Sequence, residues 1–175
     1  MPTLRAVVAS AVMLSASSAL CADAERPGQF QAPWWGPEAA VLSFGSFGLR
    51  HPPSDPFAAL EVRAGSFFWY LHLMSGVLGA EDGSAYFYVG VALDFPAADI
   101  LDFVLSFAPG LYHAGPNHNL GYPLIFHSAV EVAVTLAPRL RLGLAFSHMS
   151  NGKLASPNPG IETLSVTLTF LALPY

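Results

Sequence analysis

The stretches LRLGLAFSHMS (140–150) and GIETLSVTLTF (160–170) decide how this chain folds. In the first, the even positions are Leu140, Leu142, Leu144, Phe146, His148 and Ser150, set against Arg141, Gly143, Ala145, Ser147 and Met149. Such alternation is the period of a β-strand, whose successive side chains point to opposite faces. His148 and Ser150 therefore share a face with the leucines. In the second stretch Gly160, Glu162, Leu164, Val166, Leu168 and Phe170 oppose Thr163, Ser165, Thr167 and Thr169, so Glu162 also falls on the apolar face. An imidazole, a hydroxyl and a carboxylate at one end of a greasy surface point to a nucleophilic hydrolase with a greasy substrate.

The same period recurs along the chain. Alternating segments lie at 39–49, 57–66, 67–79, 84–95, 100–112, 124–136, 139–150 and 161–173, separated by turn signals. Segments of about ten alternating residues in this arrangement are the signature of a transmembrane barrel. Eight antiparallel strands close a small barrel whose interior is filled by side chains. One row carries Phe87, Val89, Val91, Leu93 and Phe95, continued by Phe103, Leu105 and Phe107 and by Phe126, Val130, Val132 and Val134. The opposite row carries Glu61, Arg63, Tyr86, Tyr88, Asp94, Asp102, His127, Glu131 and Arg141. Charges inside a narrow barrel must pair, and Arg63, Arg141 and His127 are the cations at hand. The first segment, AVLSFGSFGL, shows no clear polar side.

Pattern alone leaves the sign of the faces open, because a soluble lipid-binding barrel would put its apolar row inside. Composition decides for the membrane. The chain has 53% hydrophobic and only 11% charged residues, whereas a soluble exterior carries many lysines and glutamates. Trp34, Trp35, Trp69 and Tyr175 fit an interfacial girdle. With both termini in the periplasm, the short turns 96–99 and 137–138 face inward and the longer loops 113–123 and 151–160 face outward.

Residues 1–24 read as a secretory signal peptide: Arg5, an apolar run, then small residues up to Ala24, leaving 25–175 as the barrel. The only cysteine, Cys21, falls inside that leader, so disulfides, thiol catalysis and cysteine metal sites drop out of the mature chain. No basic cluster accompanies the net charge of −5, which argues against nucleic acid as a partner. His51, His113 and His118 read as solvated loop histidines, and His72 as an interior one. No metal site is expected of any of them.

Chemically, a serine becomes a nucleophile when a neighbouring imidazole takes its proton and a carboxylate orients that imidazole. Ser150, His148 and Glu162 supply those groups, while Asn151, Asn158 and the backbone around Gly152 are candidates for holding an oxyanion. The stretch FSHMSNGKLASPNPGIE resembles the H-x-S-N…N-x-G-x-E segment of the outer-membrane lipid A 3-O-deacylases, and weaker similarity runs through GSAYFYVGVALDF and LGYPL. The resemblance implies an eight-stranded outer-membrane barrel that removes the 3-O acyl chain from lipid A of lipopolysaccharide, with no cofactor. It also implies Ser150 as nucleophile, His148 as base, Glu162 as orienting acid and Asn158 as an oxyanion contributor. The loop Asn151-Gly152-Lys153-Leu154 departs from the Asn-Ala-Gly-Leu of the family in the place of its glycine. A non-catalytic structural or adhesive barrel and a phospholipid esterase are the other readings, and a homodimer is left open by the sequence.

Overall fold

The computed structural model describes residues 36–172, so the leader, Trp34, Trp35 and Tyr175 lie outside the described residues. Eight strands follow in order: β1 (Pro37–Phe47), β2 (Asp55–Phe68), β3 (Leu71–Ala80), β4 (Ala85–Ala98), β5 (Leu101–His113), β6 (Leu124–Ala137), β7 (Leu140–Ser150) and β8 (Ile161–Leu171). Each pairs antiparallel with its neighbour in sequence, and β1 closes on β8 from Ala39 opposite Leu171 to Phe47 opposite Thr163. Closure gives every strand two partners and removes the unpaired edges that an open sheet would expose.

The exposed faces fix the sign of the barrel. Leu60, Val77, Phe87, Leu105, Leu144 and Val166 are all more than two-fifths exposed and form part of an apolar belt around the outside. A soluble barrel would bury that row and keep no contiguous apolar patch of such extent. The fold is therefore a transmembrane barrel, with the alternation running apolar side out. β1 obeys the same parity despite its ambiguous sequence: Ala39, Val41 and Phe47 point in, while Phe44 points out.

Inside, two zones stack along the axis. Towards the short turns, Arg63 bonds Glu61 at 2.7 Å and Glu131 at 3.2 Å and lies 3.6 Å from Asp94. Arg141 reaches Asp94 at 2.9 Å and Asp102 at 3.3 Å. Tyr88 donates to Glu61, and Thr167 to Glu131. Burying these ions is tolerable because each charge faces an opposite one. His127, open in the sequence to pairing or to packing, takes no part in that network and packs instead. Its ring meets Tyr86 and Tyr88 edge-on, at 6.1 and 5.8 Å between centroids. Towards the longer loops the filling becomes apolar, with Phe47, Phe57, Leu78, Tyr86, Met149 and Ile161 packed together.

Besides a shift of β1 from the expected 39–49 to Pro37–Phe47, two turns are placed differently from the sequence reading. β2 and β3 were expected to meet at residues 66 and 67, yet β2 runs to Phe68 and the chain reverses at Trp69-Tyr70. Trp69 adopts φ +55° there, a conformation usually signalled by glycine or asparagine, so the turn carries no local cue. Similarly, β4 extends through Pro96 to Ala98, and the turn falls on Asp99-Ile100.

Candidate active site

β7 ends and β8 begins at the end of the barrel that carries the longer loops, and their register sets the site. His148 stands opposite Glu162, with Ser147 opposite Thr163 just below. On the lumen side the Ser147 and Thr163 hydroxyls lie 2.7 Å apart, and Met149 and Ile161, the next facing pair towards the loop, are 0% and 1% exposed. A one-residue slip would break that hydroxyl bond and turn both pegs out of the core, so the register is strongly specified. The pairing of two chemically active side chains thus follows from packing on the opposite face.

On the outer wall, His148 Nδ1 lies 3.4 Å from Glu162 Oε1. This is looser than a formed hydrogen bond. The carboxylate is largely covered, its side chain only 12% exposed, whereas the imidazole is 49% exposed. With Nδ1 turned to the carboxylate, Nε2 is free for another partner. Ser150 follows two residues on, on the same face and in register with Phe126 of β6.

Gly160 makes room for the ring. It sits at φ +67°, and a Cβ there would come within 2.7 Å of His148 Cε1. The start of β8 is fastened from the other side by the β1–β2 loop, because Gly48 and Leu49 both donate their backbone N–H to the Glu162 carbonyl at 3.1 Å.

The β7–β8 loop is organised by Asn151. Its side chain is fully buried and its Nδ2 donates among the carbonyls of Leu120, Pro157 and Ala155, at 2.9, 3.0 and 3.2 Å. Its backbone N–H goes to Asn158 Oδ1 at 3.0 Å, and its Oδ1 accepts from Lys153 N–H at 2.9 Å. All the donors of Asn151 are thereby engaged within the protein, which takes its side chain out of the candidates for an oxyanion. Asn158 accepts through its oxygen, so its Nδ2 is turned the other way. Gly152 and Lys153 have φ +60° and +66°, and Leu154 N–H returns to the Asn151 carbonyl at 3.0 Å. That is a type I′ turn, which needs positive φ at both central residues. A glycine at either centre suits it, and here the other centre is Lys153.

Three neighbours were missed by sequence reasoning. Ser128 of β6 faces His148 on the side opposite Glu162, and a signal for it existed, since Ser128 interrupts the row of Phe126, Val130 and Val132. His51 is an exposed loop residue, as read, and its Nδ1 also lies 3.9 Å from Glu162 Oε2. It is 111 positions from Glu162 and no spacing announces it. His118, also read as solvated, is only 4% exposed, with its ring edge-on to Phe47 at 5.1 Å and its Nε2 2.9 Å from Asp55. The reason is that the β5–β6 loop folds down over the barrel mouth. His113, at the end of β5, is exposed as expected.

Comparison with known proteins adds a family to this geometry. Residues 61–170 match the model of the lipid A 3-O-deacylase (PagL) family. A curated relative, the lipid A deacylase PagL of Bordetella bronchiseptica (strain ATCC BAA-588 / NCTC 13252 / RB50), is 33% identical over 51 residues, 29% of this chain and 29% of the relative. Less than a third of that relative's length is therefore matched. The crystal structure of the outer membrane enzyme PagL superimposes with a TM-score of 0.59 at 19% identity, covering 77% of this chain and 99% of that one. A de novo designed transmembrane β-barrel reaches the same TM-score at 10% identity, over 79% of this chain and 97% of its own. Neisserial surface protein A follows at 0.54 and 10% identity, over 78% of this chain and 96% of that one. The shared shape is thus that of small transmembrane barrels in general, and the family match is what distinguishes this chain among them.

Proposed function

The chain belongs to the lipid A 3-O-deacylase (PagL) family, and from that premise we propose that it is an outer-membrane serine esterase removing the ester-linked 3-O acyl chain from lipid A. The observation that carries the mechanism is the His148–Glu162 pair, 3.4 Å apart on the lipid-facing wall. A soluble substrate would have no reason to be met there. An acyl ester in the outer leaflet can reach that wall laterally, without passing through the packed lumen.

In this reading Ser150 Oγ attacks the ester carbonyl while its proton passes to His148 Nε2. Glu162, facing Nδ1, fixes the tautomer and stabilises the imidazolium. The tetrahedral intermediate collapses, the carbon–oxygen bond to the sugar breaks, and His148 returns the proton to the departing alkoxide. Water then attacks the acyl-serine by the same route in reverse, releasing a fatty acid and restoring the hydroxyl. The oxyanion falls to Asn158 Nδ2 and the Gly152 N–H, with Asn151 holding both in place. Nothing in this sequence of steps calls on a metal.

Mass spectrometry of lipid A from cells carrying the wild-type chain or Ser150→Ala tests it. The expected result is loss of one ester-linked acyl chain with the wild type only. Intact lipid A alongside newly formed lysophospholipid would make the protein a phospholipid esterase instead. Equal lipid profiles for both chains would leave a non-catalytic barrel.

A further inference from the structure

A second cluster lies at the same end of the barrel, away from Ser150. Asp55 at the start of β2, Asp82 in the β3–β4 turn and His118 in the β5–β6 loop place one ligating atom each within 4.8 Å of the others. We infer that these three residues form a binding site for a divalent transition-metal cation of zinc-like chemistry. One imidazole and two carboxylates are a donor set suited to such an ion, with a further position for water.

Charge and preorganisation both support the inference. Two carboxylates face a single imidazole, and among the described residues no lysine or arginine pairs with Asp55 or Asp82. A divalent ion would supply the missing positive charge. Each ligand has a further hydrogen-bond partner that holds it in place, as metal ligands usually have. Asp82 accepts from Ser84 N–H at 2.9 Å and from Ser84 Oγ at 3.0 Å, and Asp55 accepts from Asn117 Nδ2 at 3.0 Å. The His118 carbonyl takes a 2.7 Å bond from Tyr112 OH, and its ring lies against Gly48, where a Cβ would come within 2.5 Å. Asp55 and Asp82 are half-buried, which leaves access from solution.

The bound ion would brace the barrel mouth. It ties the β5–β6 loop to β2 and to the β3–β4 turn, and that loop in turn offers the Leu120 carbonyl to Asn151. This site does not depend on the esterase reading, and its test does not use deacylation. Untagged full-length protein in detergent micelles, freed of metal by a chelator, is titrated calorimetrically with Zn²⁺ and with Ca²⁺. Wild type should take up one Zn²⁺ per chain and bind Ca²⁺ far more weakly, because calcium prefers all-oxygen sites. Asp82→Asn retains an oxygen for Ser84 N–H and leaves the His118–Asp55 pair intact, so it should fold normally by circular dichroism. It should lose Zn²⁺ affinity by about 100-fold or more, beyond the 10–100-fold typical of an outer partner. Unchanged Zn²⁺ binding in Asp82→Asn, no stoichiometric uptake by wild type, or equal affinity for Ca²⁺ would each overturn the assignment.

Discussion

Gly160 and His148 stand so close that a single methyl group cannot be placed between them: a Cβ on Gly160 would lie 2.7 Å from Cε1 of the imidazole. The glycine is required twice over, because its φ of +67° is also one that side chains with a Cβ adopt at a cost. Gly160→Ala should therefore push the ring away from Glu162 while the barrel still closes. Since a displacement of about 1 Å can cost 10²-fold in rate, turnover on vesicles containing lipid A should fall about that far. Wild-type turnover in a variant that folds would mean the ring position is not critical.

The proposed triad predicts a ranking. Ser150→Ala and His148→Ala should each lower deacylation on the order of 10³-fold or more, and combining them should add little, because residues acting as a unit are not additive. Glu162→Gln should cost less than either, since an amide still orients the ring but does not stabilise its charge. All three side chains lie on the lipid-facing wall, so the heat-induced mobility shift of the folded barrel on gels should persist. A Ser150→Ala protein with ordinary turnover would remove the nucleophile assignment.

The Asn151 side chain is engaged by its own loop and by the Leu120 carbonyl. Asn151→Ala strips donors from the carbonyls of Leu120, Pro157 and Ala155, and each that stays dry costs about 1–3 kcal/mol. The expected phenotype is faster proteolytic nicking within 151–160 together with reduced turnover. Asn151→Ala with an intact loop and full activity would contradict the staple.

The face assignment is tested by charge. Leu144 and Val166 are 55% and 49% exposed on the outer belt. Arginine at either should destabilise the folded state in lipid vesicles by about 2–4 kcal/mol if the site is near the bilayer midplane, read from urea titration. At the lumen-facing Ser165 the outcome should instead follow space, since Ser165 is only 6% exposed in a filled interior. Depth-independent tolerance at positions 144 and 166 would reverse the barrel.

By itself the sequence determined the barrel, its strand count and the sign of its faces. These are legible because alternation is a local property, and because a chain with 11% charged residues has too few charges to cover a soluble exterior. Tertiary structure decided what local pattern does not contain. His148 meets Glu162 because Met149, Ile161, Ser147 and Thr163 lock the register from inside. His51 comes to Glu162, and His118 to Asp55, because loops far apart in sequence close over one mouth. The ion network in the lumen had several pairings open until the strands were aligned around the barrel. Asn151, read as a ligand for an oxyanion, proved to be the centre of its own loop, because its donors find carbonyls as far away as Leu120. Contacts of this kind join residues that no period relates, and only closure of the barrel brings them together.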